Sequence, residues 1–300
     1  MGKLINNRWI LLLIITLTWG SSFILIKKSL VAFTPYEIGS LRVIGSGLIL
    51  SVIGIPAIFK MTKSTLIWVS IVGFFGNFLP MFLFPIAQTR VSSSLAGILD
   101  SLVPAFVMIF GYILFGIKSQ WSQVLGAIIG FLGAASLIYF SDADTETSQF
   151  AYAMLIVLAG ASYGINAVVI KERTAKVNAV QLTAAIYTIW AIPSLVILYF
   201  TGFVQNFEMK PEYLEPIGYL TFLTVFGTAI AMLLYYKLIQ NTSAVFASSV
   251  SYLLPIVAVI WGIIDGEKFT FWYILGGVMI LIGIYLIREK KKNPKLAPRT

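Results

Sequence analysis

The sequence predicts an all-α polytopic membrane protein whose ten transmembrane helices form two inverted five-helix repeats, with the N- and C-termini in the cytoplasm. Three observations lead to this fold class: the composition, the number of long apolar segments and an internal repeat. Of the 300 residues, 59% are hydrophobic and only 11% are charged, whereas a typical soluble domain is about 25% charged. A compact chain of this composition is solvated by a bilayer rather than by water.

Ten apolar segments are long enough to cross a bilayer core, which takes about 20 residues. The first follows Lys3 and Arg8, as the apolar region of a signal peptide would. It is too long for such a region and no small-residue cleavage site follows it, so we interpret it as a retained helix. The predicted spans are residues 9–26, 36–59, 66–88, 91–115, 121–140, 150–170, 180–200, 216–238, 243–264 and 271–287.

The placement of Lys and Arg predicts the orientation, because cytoplasmic loops carry an excess of these residues. Of the 21 basic residues, 15 lie at the predicted inside ends and loops, five lie outside and Arg42 lies within a span. Both termini are therefore predicted to be cytoplasmic. The basic tail, residues 291–300, is expected to bind anionic lipid, and we expect no nucleic-acid partner despite the net charge of +9.

The internal repeat appears when the chain is shifted by 151 residues, which places 75–129 over 226–280 without a gap. Fourteen of these 55 positions are identical, whereas composition alone would give about four. The two copies define the predicted domains, residues 1–140 and 150–290. The earlier part of each half aligns at a shift of 144, which pairs Trp19 with Tyr163 and Lys27 with Lys171.

Each copy has five predicted helices, and five is an odd number, so the second copy enters the membrane upside down relative to the first. Inverted repeats of this kind are the architecture of many secondary transporters. Their symmetry supplies two related conformations, one open to each side of the membrane. This favours transport by alternating access as the function.

Both copies carry a set of residues in the same order. The set is Trp19, Gly20, Ser21, Ser22, Phe23, Arg42 and the stretch 87–116 with Ala96, Leu102 and Pro104, then the stretch 244–267 with Ala247, Leu254, Pro255, Gly266 and Glu267. These residues resemble the EamA family of the drug/metabolite transporter (DMT) superfamily. The resemblance implies ten helices with both termini inside and transport of small organic solutes such as amino acids, other metabolites or drugs. It also implies a central cavity between two four-helix sets, with the fifth and tenth helices peripheral. The first copy departs from the family pattern with Gly116-Ile117-Lys118 in place of Gly-Glu, and with Asp100 in place of a neutral residue.

Asp100 and Arg42 are the charged residues predicted to lie well inside spans. At 1.5 Å per residue they are about 13–14 Å and about 9 Å from the outer face, respectively. A charge at such depth is unlikely to face lipid, because its burial there is costly. Two interpretations stay open: a structural ion pair between the two side chains, or an Asp100 carboxylate that binds a cationic group or a proton during the transport cycle.

Further polar and aromatic side chains at membrane depth are predicted either to line a substrate cavity or to hold helices together. Ser248, Ser251 and Tyr252 are spaced to share one helix face. Pro104 and Pro255 each remove a backbone hydrogen bond, so we expect kinks that accommodate gating motion. The full set of candidate substrate-binding or coupling residues is Asp100, Arg42, Trp19, Asn77, Tyr163, Asn166, Ser248, Ser251 and Tyr252.

Enzyme chemistry is not expected. The chain has no Cys and no His, which excludes a disulfide, a thiol nucleophile and a Cys/His metal cage; we expect no metal and no cofactor. The segment 160–164 fits G-x-S-x-G, but it lies in a predicted span and no His is available as a base. The chain has no G-x-x-x-x-G-K-[ST] loop either, so a gradient rather than ATP is expected to drive transport.

The sequence therefore predicts a secondary transporter in the cytoplasmic membrane, with efflux of amino-acid-like or amphipathic cationic solutes as the favoured activity. The alternatives are an uncoupled facilitative carrier and a lipid-handling membrane protein without transport activity. The expected partners are a small-molecule substrate and the lipid bilayer. Gly126 and Gly130 of the fifth helix are predicted to serve packing within the monomer or, alternatively, a homodimer.

Overall fold

The computed structural model describes residues 7–117, 120–140, 147–267 and 271–287, and the chain in these ranges is a polytopic bundle of helices. Eight helical segments within them are long and apolar enough to cross a membrane, and two shorter apolar helices, Trp121–Gly133 and Phe271–Gly283, coincide with the predicted fifth and tenth spans. The ten-span count stays a prediction. The basic tail 291–300 and Lys118 lie outside the described residues.

The helices begin and end close to the predicted boundaries. In the first half they are α1 (Arg8–Ser29), α2 (Pro35–Lys60), α3 (Lys63–Gly73), α4 (Leu79–Gln88), α5 (Ser93–Asp100), α6 (Val103–Phe115) and α7 (Trp121–Phe140). In the second half they are α8 (Thr147–Arg173), α9 (Ala179–Phe200), α10 (Phe203–Asn206), α11 (Leu214–Phe222), α12 (Ala231–Asn241), α13 (Ala244–Ser248), α14 (Leu254–Ile264) and α15 (Phe271–Ile287).

The start of α2 shows how local sequence sets these boundaries. Thr34 accepts a hydrogen bond from the Glu37 backbone N–H, and the Glu37 carboxylate accepts one from the Thr34 backbone N–H. This reciprocal arrangement satisfies two N–H groups that the first turn leaves without helical partners. Pro35 follows directly, at a position where its missing N–H costs nothing.

The contacts between helices come in corresponding pairs. α2 packs along α9, and α7 packs along α15. α1 contacts α12 and α14, while α8, at the equivalent place in the second half, contacts α4 and α6. Each half therefore packs its first helix against the later helices of the other half, and the core lies where the two halves interleave.

The pair of glycines in the fifth span serves packing within the chain. A Cβ built on Gly283 of α15 would lie 2.4 Å from the carbonyl oxygen of Gly126 and 2.7 Å from the backbone nitrogen of Gly130. The two backbones approach this closely because Gly283 has no side chain. This contact within the chain fits the first of the two predicted roles of Gly126 and Gly130; the homodimer stays a prediction.

Two irregular features recur at the offset of 151 residues. A π-helical segment, Phe74–Phe78, joins α3 to α4, and another, Leu223–Ile230, joins α11 to α12. The fourth span is interrupted between Asp100 and Val103, and the ninth is interrupted by a 3₁₀ segment, Ser249–Tyr252, before α14.

Proline explains both interruptions. In a continuous helix the N–H of residue 104 would bond to the carbonyl of Asp100, and that of residue 255 to the carbonyl of Ser251; proline has no N–H to donate. Pro104 and Pro255 instead occupy the first turn of α6 and α14, where proline is well tolerated. The predicted kinks are therefore complete breaks, and Asp100 and Ser251 lie directly at them.

Candidate functional site

A small cavity of about 40 Å³ lies between the two halves, at the level of the break after Asp100. At about 10–15 Å³ for each water, it has room for roughly three water molecules. Helices of both halves contribute to its wall. Its lining residues are Trp19, Ser22, Phe23, Ile26, Arg42, Met81, Phe84, Asp100, Tyr163, Met232 and Leu254.

Arg42 and Asp100 both line this cavity, and each is only 4% exposed. The Nε of Arg42 donates to the hydroxyl of Thr228 at 3.1 Å, and that hydroxyl donates to the Leu223 carbonyl at 2.9 Å. Within the described part of the chain, no group donates a hydrogen bond to the Oδ1 of Asp100. Among the residues that the structure describes, the ion pairs within 4.0 Å do not include Arg42 with Asp100, so the ion pair considered from the sequence is not formed in this conformation.

Local irregularity places both charged groups. Asp100 is the last residue of α5, where the chain breaks before Pro104, so its side chain lies at a helix end within the core. Thr228, the partner of Arg42, lies in the π-helical segment of the second half. Such segments shift the side chains that follow them and are frequent at functional sites.

Aromatic side chains form one wall of the cavity. The rings of Trp19 and Tyr163 stack with centroids 6.5 Å apart and an interplanar angle of 13°. The Nε1 of Trp19 donates to the Gly227 carbonyl at 3.0 Å, which fixes the indole. Phe84 continues the wall, and its ring centroid lies 6.1 Å from that of Tyr163. The two residues that the repeat pairs, Trp19 and Tyr163, thus face each other across the two halves.

Asn77 and Asn166 form a separate buried polar cluster rather than part of the cavity wall. Both are fully buried. The Nδ2 of Asn77 donates to the Tyr236 hydroxyl, and the Asn166 amide lies against Gly76 and interacts with the same hydroxyl. Within the described residues the Oδ1 of Asn77 accepts no hydrogen bond, and an unsatisfied buried polar group costs about 1–3 kcal/mol.

The serines of the ninth span also lie away from the cavity wall. Ser248 is fully buried and donates to the Val245 carbonyl at 2.9 Å. Ser251 and Tyr252 belong to the 3₁₀ segment, and within the described part of the chain no group bonds to the Tyr252 hydroxyl. The α-helix ends at Ser248, so the three residues do not lie on one continuous α-helix, and their common face stays a prediction.

Four of the nine predicted site residues therefore meet in the cavity: Trp19, Arg42, Asp100 and Tyr163. The prediction did not include Met81 and Met232, which both line it. A signal for them was available, since Met81 and Met232 are one of the identical pairs at the offset of 151. This identity pairs two residues of one cavity wall.

Comparisons with known proteins agree with this fold. The profile of the EamA-like transporter family matches residues 7–139 and again 150–288. An uncharacterized transporter of Archaeoglobus fulgidus is 28% identical over 95% of this chain and 100% of its own length. The uncharacterized transporter YvbV of Bacillus subtilis is 26% identical over 99% of this chain and 97% of its own length. The uncharacterized inner membrane transporter YedA of Escherichia coli K12 is 25% identical over 93% of this chain and 91% of its own length. A solved crystal structure that shares 17% identity superposes with a TM-score of 0.63, over 93% of this chain and 95% of the other.

Proposed function

The chain belongs to the EamA-like transporter family, and on that premise we propose that it is a secondary transporter that moves a small zwitterionic, amino-acid-like solute across the cytoplasmic membrane by alternating access. The single observation that carries the proposal is the pair of unpaired opposite charges, Arg42 and Asp100, in one buried cavity.

A solute with a carboxylate and an ammonium group would compensate both charges. Buried charges without partners are strongly unfavourable, so this cavity favours a ligand that supplies both complements at once. The planar guanidinium of Arg42 suits a carboxylate, which it can bind through two parallel hydrogen bonds. The free oxygen of Asp100 suits an ammonium group. A solute with only one charge would leave the other residue uncompensated.

The rest of the wall suits a small apolar side chain. Trp19, Tyr163 and Phe84 supply flat aromatic surfaces, and Met81 and Met232 supply flexible ones that adapt to different shapes. The present volume of about 40 Å³ accommodates the charged ends of a solute but no bulky side chain. A larger substrate would therefore bind in a more open conformation.

The breaks at Pro104 and Pro255 are our proposed hinges. Each divides a span into two half-helices joined by a few residues without α-helical bonds, and such discontinuous helices flank the binding sites of many secondary transporters. Motion of one half-helix against the other would open the cavity to one side. The favoured direction is efflux.

Solute binding tests the zwitterion directly. A ligand that binds the folded state raises the unfolding temperature, so the purified protein is heated with neutral amino acids, with their methyl esters and with their N-acetyl derivatives. We expect stabilisation by the amino acids alone. Asp100→Asn and Arg42→Gln should each weaken binding about tenfold or more, since each loses a hydrogen bond to a charged group. Glu215→Gln, at an exposed carboxylate, is the matched control. Equal stabilisation by esters and amino acids would refute the role of Arg42.

Flux in proteoliposomes separates the remaining alternatives. Solute uptake that dissipates an imposed pH gradient indicates coupling to protons, whereas uptake that leaves the gradient intact indicates a facilitative carrier. Flux of cationic drugs that needs Asp100 but not Arg42 would replace the zwitterion with a cationic substrate. The absence of flux for every solute that binds would favour a membrane protein without transport activity.

A further inference from the structure

An ionic network joins three helix ends on the side of the bundle that the sequence predicts to be external. The Nζ of Lys27, near the end of α1, lies 3.0 Å from Oδ2 of Asp265 and 2.9 Å from Oε1 of Glu267. Lys28 forms an ion pair with the other oxygen of Asp265. Gly266, between the two acids, has a φ of 79°, a backbone conformation that a side chain disfavours and that turns both carboxylates towards α1.

The Glu267 carboxylate is also bound by the first turn of α5. Its Oε1 accepts hydrogen bonds from the backbone N–H and the hydroxyl of Ser93, at 2.9 and 2.6 Å. Its Oε2 accepts the same two bonds from Ser94, at 3.1 and 2.6 Å. Partial burial raises the pKa of Glu267, but the hydrogen bonds from Ser93, Ser94 and Lys27 outweigh that effect and lower the pKa to about 2. The carboxylate therefore stays ionised where Ser93 and Ser94 bind it, and we call these two residues its seat.

The helices under this network are in close contact. A Cβ built on Gly97 of α5 would lie 2.4 Å from the Cβ of Ala258 of α14. Gly262 of α14 leaves room for the Ser94 hydroxyl and the Glu267 carboxylate. The packing of α5 on α14 is more extensive than that of the equivalent pair, α13 on α6. This end of the cavity is thus sealed by contact as well as by charge.

The equivalent end of the other half has a similar helix end but not the same chemistry. A glycine with positive φ precedes Ile117, as another precedes Glu267, and these two residues donate their N–H groups back to the repeat-paired carbonyls of Gly111 and Gly262, at 3.1 and 2.9 Å. The turn before Ile117 is one residue longer, so Ile117 takes the place of Glu267 although the offset of 151 pairs Glu267 with Gly116. Ser243 caps α13 as Ser92 caps α5.

The residues around Ile117 are apolar or loosely packed. The two that follow the Ser243 cap are Ala244 and Val245, where α5 has two serines. A Cβ on Gly111 would meet nothing closer than the Ile117 side chain at 3.7 Å. In place of a salt bridge, the Nζ of Lys171, which the repeat pairs with Lys27, donates to backbone carbonyls including that of Thr242.

We propose that Lys27, Lys28, Asp265 and Glu267, with the Ser93 and Ser94 seat, form a latch that holds the transporter closed on its external side and makes the cytoplasm-facing conformation the resting state. The proposal rests on the alternating-access function above. Because, among the described residues, only one of the two symmetry-related ends carries the latch, the two conformations differ in free energy. Glu267 is the positioning residue, and its seat leads through α5 to Asp100, so opening the latch frees the element that carries the proposed ammonium ligand.

Side-specific labelling tests the latch without any substrate. The chain has no cysteine, so Ser22→Cys places a single thiol in the cavity wall. A membrane-impermeant maleimide is applied to right-side-out and to inside-out membrane vesicles. We expect faster labelling from the cytoplasmic side. Adding Glu267→Gln should raise the external rate about tenfold, the factor for losing one hydrogen bond to a charged group, and should lower the cytoplasmic rate. Glu212→Gln removes an exposed external acid and should change neither rate.

A second variant, the graft, tests the same proposal by adding the latch residues to the cytoplasmic end. Ile117→Glu combined with Ala244→Ser and Val245→Ser installs the carboxylate and its seat at the cytoplasmic end, where Lys171 supplies the cation. We expect the cytoplasmic labelling rate to fall about tenfold, a change that loss of folding cannot produce. An unchanged external rate in Glu267→Gln, or an unchanged cytoplasmic rate in the graft, would overturn the proposal. Intact side preference without solute flux would reject the transport function and support the latch, and flux without side preference would reject the latch alone.

Discussion

The contact between Gly97 and Ala258 makes a prediction whose size follows from the structure. Gly97→Ala places a methyl carbon 2.4 Å from the Cβ of Ala258, whereas carbon atoms in contact are about 3.5–4.0 Å apart. α5 and α14 must therefore separate by about 1–1.5 Å. Overpacking of this kind typically costs about 1–3 kcal/mol, and the better helix propensity of Ala returns about 0.5–1 kcal/mol of it.

We therefore expect Gly97→Ala to lower the apparent unfolding temperature in detergent by a few degrees, since about 1 kcal/mol corresponds to about 2–4 °C for a chain of similar size. Ala258→Gly removes the opposing methyl group, so the double variant should be more stable than the sum of the single effects by about 1 kcal/mol or more. Gly277→Ala is the matched control, because no atom lies within 4 Å of the added Cβ, and it should be neutral or stabilising. If Gly97→Ala is as stable as the unmodified protein, or if Ala258→Gly restores nothing, the close contact of α5 with α14 is not as described.

Two further predictions concern charge. The pKa of Glu267 is lowered to about 2 from its usual 4.5, so the stabilisation it provides is fully present above pH 4.5 and is lost only as the pH falls through about 2. The external labelling rate of Ser22→Cys, normalised to that of a free thiol, should therefore be constant from about pH 5 to pH 8. A rise of that rate within this pH range would contradict the latch. The charged and titratable groups around Glu267 are Lys27, Lys28, Asp265, whose pKa the Lys28 hydrogen bond lowers, and Tyr273. Thr228→Val removes the hydroxyl that orients Arg42 and should weaken solute binding about tenfold in the thermal-shift titration. Thr65→Val, at a half-buried threonine in the first turn of α3, should leave the affinity unchanged.

The span boundaries could be predicted from sequence because a bilayer imposes one length on every apolar segment. The breaks were also within reach, since Pro104 and Pro255 recur at one offset and proline always removes a helical hydrogen bond. The fifth and tenth predicted spans coincide with the apolar helices α7 (Trp121–Phe140) and α15 (Phe271–Ile287), although the number of complete spans stays a prediction.

The faces of the helices could not be predicted in the same way. In a bilayer the lipid-facing surface is as apolar as the core, so hydrophobic periodicity does not tell inside from outside. Phe59 is 86% exposed and Leu99 is fully buried, yet both belong to equally apolar segments. For the same reason the sequence did not indicate that Asn77 bonds to Tyr236 on a face away from the cavity lining. The seat of Glu267 left no sequence signal beyond the Gly-Glu pair of the family, because its partners are more than 170 residues away along the chain.

The helix α5 carries one further consequence, for how this protein tolerates change. Its eight residues span about 12 Å and separate a surface carboxylate seat at one end from a buried acid at the other. Substitutions along its apolar face alter packing locally, but the loss or gain of a single residue would turn Asp100 by about 100° relative to Ser93 and Ser94. The number of residues in α5 is therefore under tighter constraint than their identity, and insertions that surface loops would absorb should be excluded from these roughly two turns of helix.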